Sequence, residues 1–266
     1  MGGTGGTGGS GTGAGGGTGA AGPAARAVPA GEQGAEIRPR GVVDLRGRRP
    51  DRPAEAAVLL RYPADAVVIV SGLPGSGKST LVNRWSADVA VVDPRAVHLA
   101  CEAVMPPWLP YAVYRPWARL EHVRSLRAAV RAGGPLLVHD CGSRRWMRRW
   151  LARSCGATGR AVHLVLLDVG VAQALAGQEA RGRWASRRVF DRHRRGLGLL
   201  LAALPSGGGT GDAAVVRRGE IAVAGGGAPL PAVLAEVASV VLLDRESRQY
   251  AASAFGAGAG APPAPR

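Results

Sequence analysis

Five short apolar runs, rich in Val, Ile, Leu and Ala, stand out along the chain and are separated by longer stretches of mixed polarity. Each run is a continuous block rather than an apolar–polar alternation, which is typical of a strand buried on both faces of a parallel sheet. The runs predict strands over residues 66–70, 89–92, 136–139, 161–167 and 239–243.

Between these runs, apolar residues recur at every third or fourth position, which is the spacing of a helix. Helices are therefore predicted over about 78–87, 112–132 and 143–154, from near 171, and over 196–204. In the second of these, the recurring positions are Val113, Trp117, Leu120, Val123, Leu126 and Val130. The alternation of strands and helices predicts an α/β fold, a three-layer sandwich around a mostly parallel sheet.

The two ends of the chain have a different composition. Residues 1–22 are almost wholly Gly, Thr, Ala and Ser, residues 23–56 are rich in Arg, Pro, Gly and Glu, and residues 251–266 are mostly Ala, Gly and Pro. Such segments have too little apolar surface to offset the entropy lost on ordering. We therefore predict a disordered arm over 1–56, a domain over 57–250 with a loose Gly-rich insertion at 205–232, and a disordered tail over 251–266.

Composition excludes several classes of protein. No uncharged apolar run reaches the length of a membrane-spanning helix, and the N-terminus lacks the basic and apolar regions of a secretory signal. The three cysteines have no CxxC spacing, which argues against a disulfide framework and a zinc site. We expect a cytoplasmic protein with no membrane partner.

The formal net charge of +15 comes from 33 arginines and one lysine against 19 acidic residues. One interpretation is compositional drift that leaves solvated arginines on the surface. The other is binding to phosphates, nucleotides or nucleic acid, and charge alone does not separate the two.

Residues 72–79, Gly-Leu-Pro-Gly-Ser-Gly-Lys-Ser, match the P-loop pattern G-x-x-x-x-G-K-[ST] between a predicted strand and a predicted helix. Glycines let backbone N–H groups point inward around an anion, and the helix dipole adds to the attraction. Lys78, the one lysine of the chain, is predicted to reach the β and γ phosphates, and the Ser79 hydroxyl to ligate Mg²⁺. The predicted nucleotide-binding residues are Gly72, Leu73, Pro74, Gly75, Ser76, Gly77, Lys78, Ser79 and Thr80.

Acidic residues follow the predicted strands, and ligands of parallel sheets bind at that edge. Asp140 comes after an apolar run and is the candidate second ligand of Mg²⁺; the alternative is a helix N-cap. Asp93 is the candidate catalytic base that contacts an acceptor hydroxyl, and a capping role before Pro94 is the alternative. Asp168 is interpreted as a structural cap.

The stretch 181–192 contains many arginines and is predicted to form a mobile lid. Arginines of a lid neutralise the charge that develops on a transferred phosphoryl group, so Arg183, Arg187 and Arg188 are catalytic candidates. A solvated basic face is the alternative for each single arginine.

Together these residues resemble the small P-loop kinase-like ATPases related to polynucleotide kinase and zeta toxin, the actinobacterial "AAA domain" proteins. The matching pieces are residues 70–81, Asp93 with Arg95, and residues 138–145, 181–194 and 240–245. The resemblance implies ATP and Mg²⁺ as cofactors and phosphoryl transfer as the reaction. The chain departs from the kinase patterns D-x-x-R and D-[AT]-[TS]-N, because Arg95 comes one residue early and residues 140–143 lack the Asn.

Two functions remain open from the sequence. The first is an ATP-dependent phosphotransferase that acts on a hydroxyl of a small molecule or of a nucleic-acid end. The alternative is a nucleotide-gated ATPase or binding module whose partner is nucleic acid or a protein.

Overall fold

The structure is a computed structural model that describes residues 35–47, 57–139, 144–182, 184–204 and 230–256. Its strands are β1 (Ala35–Ile37), β2 (Gly41–Asp44), β3 (Val58–Tyr62), β4 (Val67–Gly72), β5 (Ala90–Val92), β6 (Leu136–His139), β7 (Val162–Leu167), β8 (Ser239–Leu243) and β9 (Ala251–Phe255). Its helices are α1 (Lys78–Trp85), α2 (Pro94–Val104), α3 (Tyr111–Ala132), α4 (Arg145–Gly156), α5 (Val171–Glu179), α6 (Arg187–Ala203) and α7 (Ser247–Tyr250), with a 3₁₀ turn at Ala232–Leu234. In this part of the chain, no helix is both long enough and apolar enough to cross a bilayer.

The main sheet has the strand order β2-β8-β7-β4-β6-β5, and every neighbouring pair runs parallel. All five strands predicted from apolar runs lie in it, so the α/β prediction is confirmed. The P-loop strand β4 lies in the interior of the sheet, between β7 and β6. Because the carboxyl ends of parallel strands share one edge, the residues that follow β4, β6, β7 and β8 converge there.

The two faces of this sheet are covered by different layers. On one face, Val67 and Ile69 belong to a cluster that includes residues of α3, α4 and α6, namely Leu126, Leu151 and Leu197. On the other face, Val68 and Val70 share a cluster with α1 and with β3, through Leu81, Trp85 and Leu60. The third layer of the sandwich is thus α1 together with a second parallel sheet of order β1-β3-β9.

The prediction of a disordered arm over 1–56 is wrong for residues 35–47. β2 pairs with β8, from Gly41 opposite Ser239 to Asp44 opposite Leu242, and β1 pairs with β3. The strand partners that stabilise this segment are distant in the sequence. The segment therefore forms strands although its own few apolar residues show no periodic pattern. Residues 1–34 and 48–56 of the predicted arm lie outside the described residues.

The prediction of a disordered tail from residue 251 is also wrong at its start. β9 pairs along its whole length with β3, and Ala251 is buried. Its small residues resemble a tail in composition, but they suit a strand packed closely against the domain. Residues 257–266 of the tail and 205–229 of the predicted insertion lie outside the described residues.

In the N-terminal half of α3, the residues that show the helical spacing are not the buried ones. Val113, Trp117 and Leu120 are 61%, 51% and 45% exposed. The buried residues of α3 are Tyr114, Ala118, His122, Leu126 and Val130. The reason is α2, which was not predicted: its Cys101 packs against Tyr114 and Ala118, and thereby selects that side of α3.

Candidate functional site

The P-loop joins β4, which ends at Gly72, to α1, which begins at Lys78. Gly75 and Gly77 have φ values of 87° and 90°, in the region that favours glycine. A Cβ atom at Gly75 would lie 2.0 Å from the carbonyl oxygen of Ala174, and one at Gly177 would lie 2.3 Å from the oxygen of Gly75. Glycine at both positions therefore lets α5 press its backbone directly against the P-loop.

Two polar side chains of the loop, those of Ser76 and Lys78, are buried. The Nζ atom of Lys78 donates hydrogen bonds to the carbonyl oxygens of Gly72 and Leu73, at 2.9 and 2.8 Å. Ser76 is fully buried, and its Oγ has no hydrogen-bond partner among the described residues. A buried ammonium, an unpaired hydroxyl and a helix N-terminus in one place fit a phosphate group.

A cleft of about 520 Å³ opens beside the P-loop. Gly75 and Gly77 form one wall, α5 forms another, and Arg181, Arg245 and Arg248 complete the lining. An Nη atom of Arg248 donates to the carbonyl oxygen of Ser76. Burial, followed by the positive charges of Arg245 and Arg181, lowers the pKa of Arg248. Because three cations repel one another here, an anion in the cleft would relieve the repulsion.

Within the stretch predicted to form a lid, the arginine that contacts α1 is Arg181, which was not among the catalytic candidates chosen from the sequence. Arg181 donates to the Thr80 hydroxyl at 3.2 Å and so connects the lid stretch with α1. Arg187 and Arg188 lie at the start of α6, are exposed and do not line the cleft. Arg183 lies outside the described residues, and its role stays a prediction.

On the other side of the P-loop, a chain of contacts joins the start of α1 to the ends of two strands, β6 and β5. The Ser79 hydroxyl lies 3.2 Å from His139 Nε2, and His139 Nδ1 lies 3.3 Å from a carboxylate oxygen of Asp93. Asp93 also caps α2, because the same oxygen accepts from the backbone N–H of Arg95 at 2.9 Å. Capping and contact with the site, which were alternatives in the sequence, thus coexist in one side chain. Asp140 lies outside the described residues.

The environment of Asp93 favours its ionised form. Burial alone would raise the pKa of this carboxyl, but the hydrogen bonds from His139 and from the Arg95 amide outweigh burial and lower it. Asp93 is therefore an anion at neutral pH, with its side chain about a quarter exposed.

His139 and Arg248 are site residues that the sequence reasoning missed, and only His139 had a signal in the sequence. The available signal was its place: it is the last residue of the predicted strand before Asp140, on the strand that adjoins β4. A polar residue that ends an apolar run at the carboxyl edge of a parallel sheet faces the ligand site as readily as the acid after it.

Arg46 and Gly47 of the N-terminal segment contact residues next to the cleft, and we call these contacts the brace. The Arg46 guanidinium binds Asp44 at 2.7 Å and Asp168 at 2.8 Å, and the Gly47 amide donates to Asp244 at 2.7 Å. Asp168 immediately precedes Val169 of the cleft wall, and Asp244 immediately precedes Arg245. Asp168 does not act as the expected cap, because Gly170 is the N-cap residue of α5 and no side chain caps that helix; Asp168 forms the ion pair with Arg46 instead.

The sequence model of the AAA domain family matches residues 67–200, just over half of the chain. The chain belongs to this family. The AAA domain match includes the P-loop, Asp93, His139 and the lid stretch, but not Arg245 or Arg248. The family and the P-loop together make this a kinase-like NTPase with a nucleotide-binding fold.

Solved structures similar to this AAA domain protein have low identity to it. A protein of the PezAT toxin–antitoxin system of Streptococcus pneumoniae is 15% identical over 46% of this chain, with a TM-score of 0.38, and the chain spans 54% of its length. A gluconokinase from Sinorhizobium meliloti is 16% identical over 71% of this chain and 93% of its own, with a TM-score of 0.36. A putative kinase from Chloroflexus aurantiacus is 15% identical over 68% of this chain and 88% of its own, with a TM-score of 0.40. No curated protein matches the sequence.

Proposed function

We propose that the protein is an ATP-dependent phosphotransferase that moves the γ-phosphoryl group of ATP to a hydroxyl of an acceptor. The observation that carries the proposal is the chain of contacts from Ser79 through His139 to Asp93. It joins a phosphate-binding loop to an ionised carboxylate on the side opposite the arginine cleft. A protein that only bound nucleotide would need the loop and the cleft, but not this carboxylate.

The nucleotide side of the proposal rests on charge and on burial. Lys78 and the inward N–H groups of the loop would hold the β and γ phosphates. Arg181 and Arg248 already contact Thr80 and Ser76, so they would meet the same phosphates without a large movement. Bidentate guanidinium groups suit phosphate oxygens better than point charges do.

Mg²⁺ fits the residues on the opposite side of the loop. The hydroxyl of Ser79 is half-buried and fixed by His139, and Asp140 is the predicted carboxylate partner. Oxygen ligands of this kind, completed by phosphate oxygens and water, are those that Mg²⁺ prefers. When bound, the ion supplies positive charge to the phosphate oxygens.

Asp93 would receive the acceptor. Its carboxylate would accept the hydrogen bond of the acceptor hydroxyl and direct the oxygen at the γ phosphorus. The bond from the acceptor oxygen to phosphorus forms, the bond from phosphorus to the β–γ bridging oxygen breaks, ADP leaves, and the proton passes to Asp93. A loose transition state does not require a strong base, so a carboxylate of lowered pKa is sufficient.

A transfer assay tests the proposal. The full chain is incubated with γ-labelled ATP, Mg²⁺ and two acceptor pools, one of small hydroxylated metabolites and one of oligonucleotides with free 5′ hydroxyls. Label should move to a component of one pool. The Asp93→Asn variant should lose transfer, because asparagine caps a helix as well as aspartate does but cannot take the proton.

The matched control is Asp88→Asn, which removes the same charge from an exposed turn residue after α1. It should transfer at the rate of the unaltered protein. Intact ATP binding with no labelled product in either pool contradicts a phosphotransferase.

A further inference from the structure

The outward face of α3 carries a stripe that the domain core does not use. Val113, Trp117, Leu120, Arg124, Arg127 and Arg131 follow one another at spacings of three and four residues, so they share one side of the helix. All six are exposed. The guanidinium of Arg124 lies 6.0 Å from the ring centroid of Trp117, which keeps the aromatic face beside a cation.

The exposed side of α4 repeats this composition. Arg145, Arg149 and Arg153 are four residues apart, and so are Trp146 and Trp150. Trp146 is 56% exposed. No Asp or Glu occurs in the sequence of α4.

The two stripes are neighbours, because the Arg127 guanidinium of α3 lies 5.6 Å from the Trp150 ring centroid of α4. We call the combined patch the α3–α4 surface. Its members are Arg124, Arg127, Arg131, Arg145, Arg149 and Arg153, with Trp117, Trp146 and Trp150.

The charge of this surface is almost uncompensated. Among the described residues, Glu121 is the one carboxylate within salt-bridge distance of any of these arginines, 3.7 Å from Arg124. Two buried arginines of the same domain do have protein partners for their guanidinium groups. Arg148 binds Glu236 at 2.9 Å, and Arg160 donates to three backbone carbonyls. The arginines of the α3–α4 surface therefore have no comparable structural role, and a polyanion is the complementary partner.

We propose that the α3–α4 surface binds single-stranded nucleic acid. The exposed tryptophans Trp117 and Trp146 decide between polyanions, because the bases of a single strand present open faces for stacking and those of a duplex do not. Arginines interleaved with these rings would pair with the phosphates along the strand. The proposal concerns a binding surface and holds whether or not the P-loop site transfers a phosphoryl group.

An equilibrium titration of the full chain tests it, with fluorescence anisotropy of labelled oligo(dT) and oligo(U) of about 20 nucleotides and of a duplex of equal length. Single strands should bind more tightly than the duplex. The logarithm of the affinity should fall linearly with the logarithm of the salt concentration. Each phosphate contact adds a slope of about −0.7 for single strands, so Arg124→Gln with Arg149→Gln should reduce the slope by about 1.4.

A second variant probes stacking rather than charge. Trp146→Ala should weaken oligonucleotide binding about tenfold and leave the salt slope unchanged. Its control is Trp184→Ala, which removes a tryptophan that is 64% exposed and lies between α5 and α6. The charge control is Arg194→Gln with Arg195→Gln, two exposed residues of α6 outside the predicted lid stretch. Both controls should bind like the unaltered protein, and unchanged melting temperatures establish that the variants fold.

Three outcomes would overturn the proposal. Equal affinity for the duplex would remove the role of the tryptophans. A slope that falls as much in the α6 control would mean that the overall charge attracts the strand, without a defined surface. Binding of the same surface to anionic phosphatidylserine vesicles, with no binding of oligonucleotides, would assign it to a membrane surface instead.

Discussion

The two sides of the P-loop carry opposite charges, arginines on one side and an ionised aspartate on the other. On the cleft side, burial and then the positive charges of Arg245 and Arg181 lower the pKa of Arg248. On the other side, His139 supports an ionised Asp93 through a hydrogen bond. Cations that repel one another gain from an added anion, whereas a stabilised carboxylate gains from an added proton donor. In the proposed function, this arrangement would separate the binding of nucleotide from the handling of the acceptor.

The two sides also differ in how the chain assembles them. The acidic side is formed by the ends of β5 and β6, which are neighbours in the sheet. The cleft side takes Arg245 and Arg248 from the segment after β8, and Arg46 and Gly47 hold the residues just before its walls. Changes on the acidic side should therefore act on transfer, and changes on the cleft side on nucleotide affinity.

The largest effect is expected for Asp93→Asn. Loss of a general base costs about 10²- to 10⁴-fold in rate, so kcat should fall by that factor while the Kd for ATP stays within error. Single-turnover transfer and ATP titration measure the two quantities on one preparation. An equal loss in the rate of transfer and in the affinity for ATP would contradict the different roles assigned to the two sides.

Lys78→Arg tests the residue that lies between the sides. A guanidinium is bulkier than the ammonium that now contacts the oxygens of Gly72 and Leu73, so the tight loop cannot hold it in the same place. We expect about 10²- to 10³-fold slower turnover, comparable to the loss of one transition-state donor. Lysine-directed labelling with an acyl-phosphate analogue of ATP should modify Lys78 alone among side chains, and ATP should block it. Full turnover of the variant would contradict a phosphate-binding role.

Arg248→Gln should act on affinity. Loss of one charged hydrogen bond to a phosphate weakens ATP binding by about tenfold, with little change in the rate of transfer at saturating ATP. Arg188→Gln, on the exposed start of α6, is the comparison variant. A larger effect at Arg188 than at Arg248 would show that the lid stretch closes over the nucleotide as the sequence predicts.

The smallest effect is expected for Arg46→Ala. Its ion pairs with Asp44 and Asp168 are about a third exposed, and such pairs contribute at most about 1 kcal/mol. The Kd for ATP should rise by roughly fivefold or less, and transfer at saturating ATP should be unchanged. A variant that loses transfer but keeps affinity would mean that the brace acts on the acidic side instead.

The fold was predictable because its signals are local. The strand β4 is a block of Val and Ile followed by a glycine-rich turn, and both features work through the backbone of the residues that carry them. The same holds for the assignment of Lys78 and Ser79 to the P-loop. His139 and Arg248 were not predictable as partners of these residues, because sheet pairing and the path after β8 bring them there.

Two features that the sequence did not reveal have a related cause. The periodicity of α3 contains two overlapping stripes, and only the presence of α2 decides that Tyr114 is buried and Trp117 is exposed. Strands β1, β2 and β9 have too little apolar surface to be recognised alone, and they exist because β3 and β8 offer unpaired edges. Burial or strand formation that depends on another segment of the chain cannot be predicted from the sequence of one segment alone.

The pairing of β2 with β8 has a consequence for the order in which the chain folds during synthesis. Residues 41–44 leave the ribosome among the first of the described segments, yet their partners, residues 239–242, leave it among the last. Until then the polar backbone edge of β2 is unpaired, and contacts of such long sequence separation form slowly. The brace on the cleft, which follows β2 directly at Arg46 and Gly47, can close only after release of the strand that completes the sheet. The nucleotide side of this protein is therefore assembled only after residues 239–242 have been synthesised.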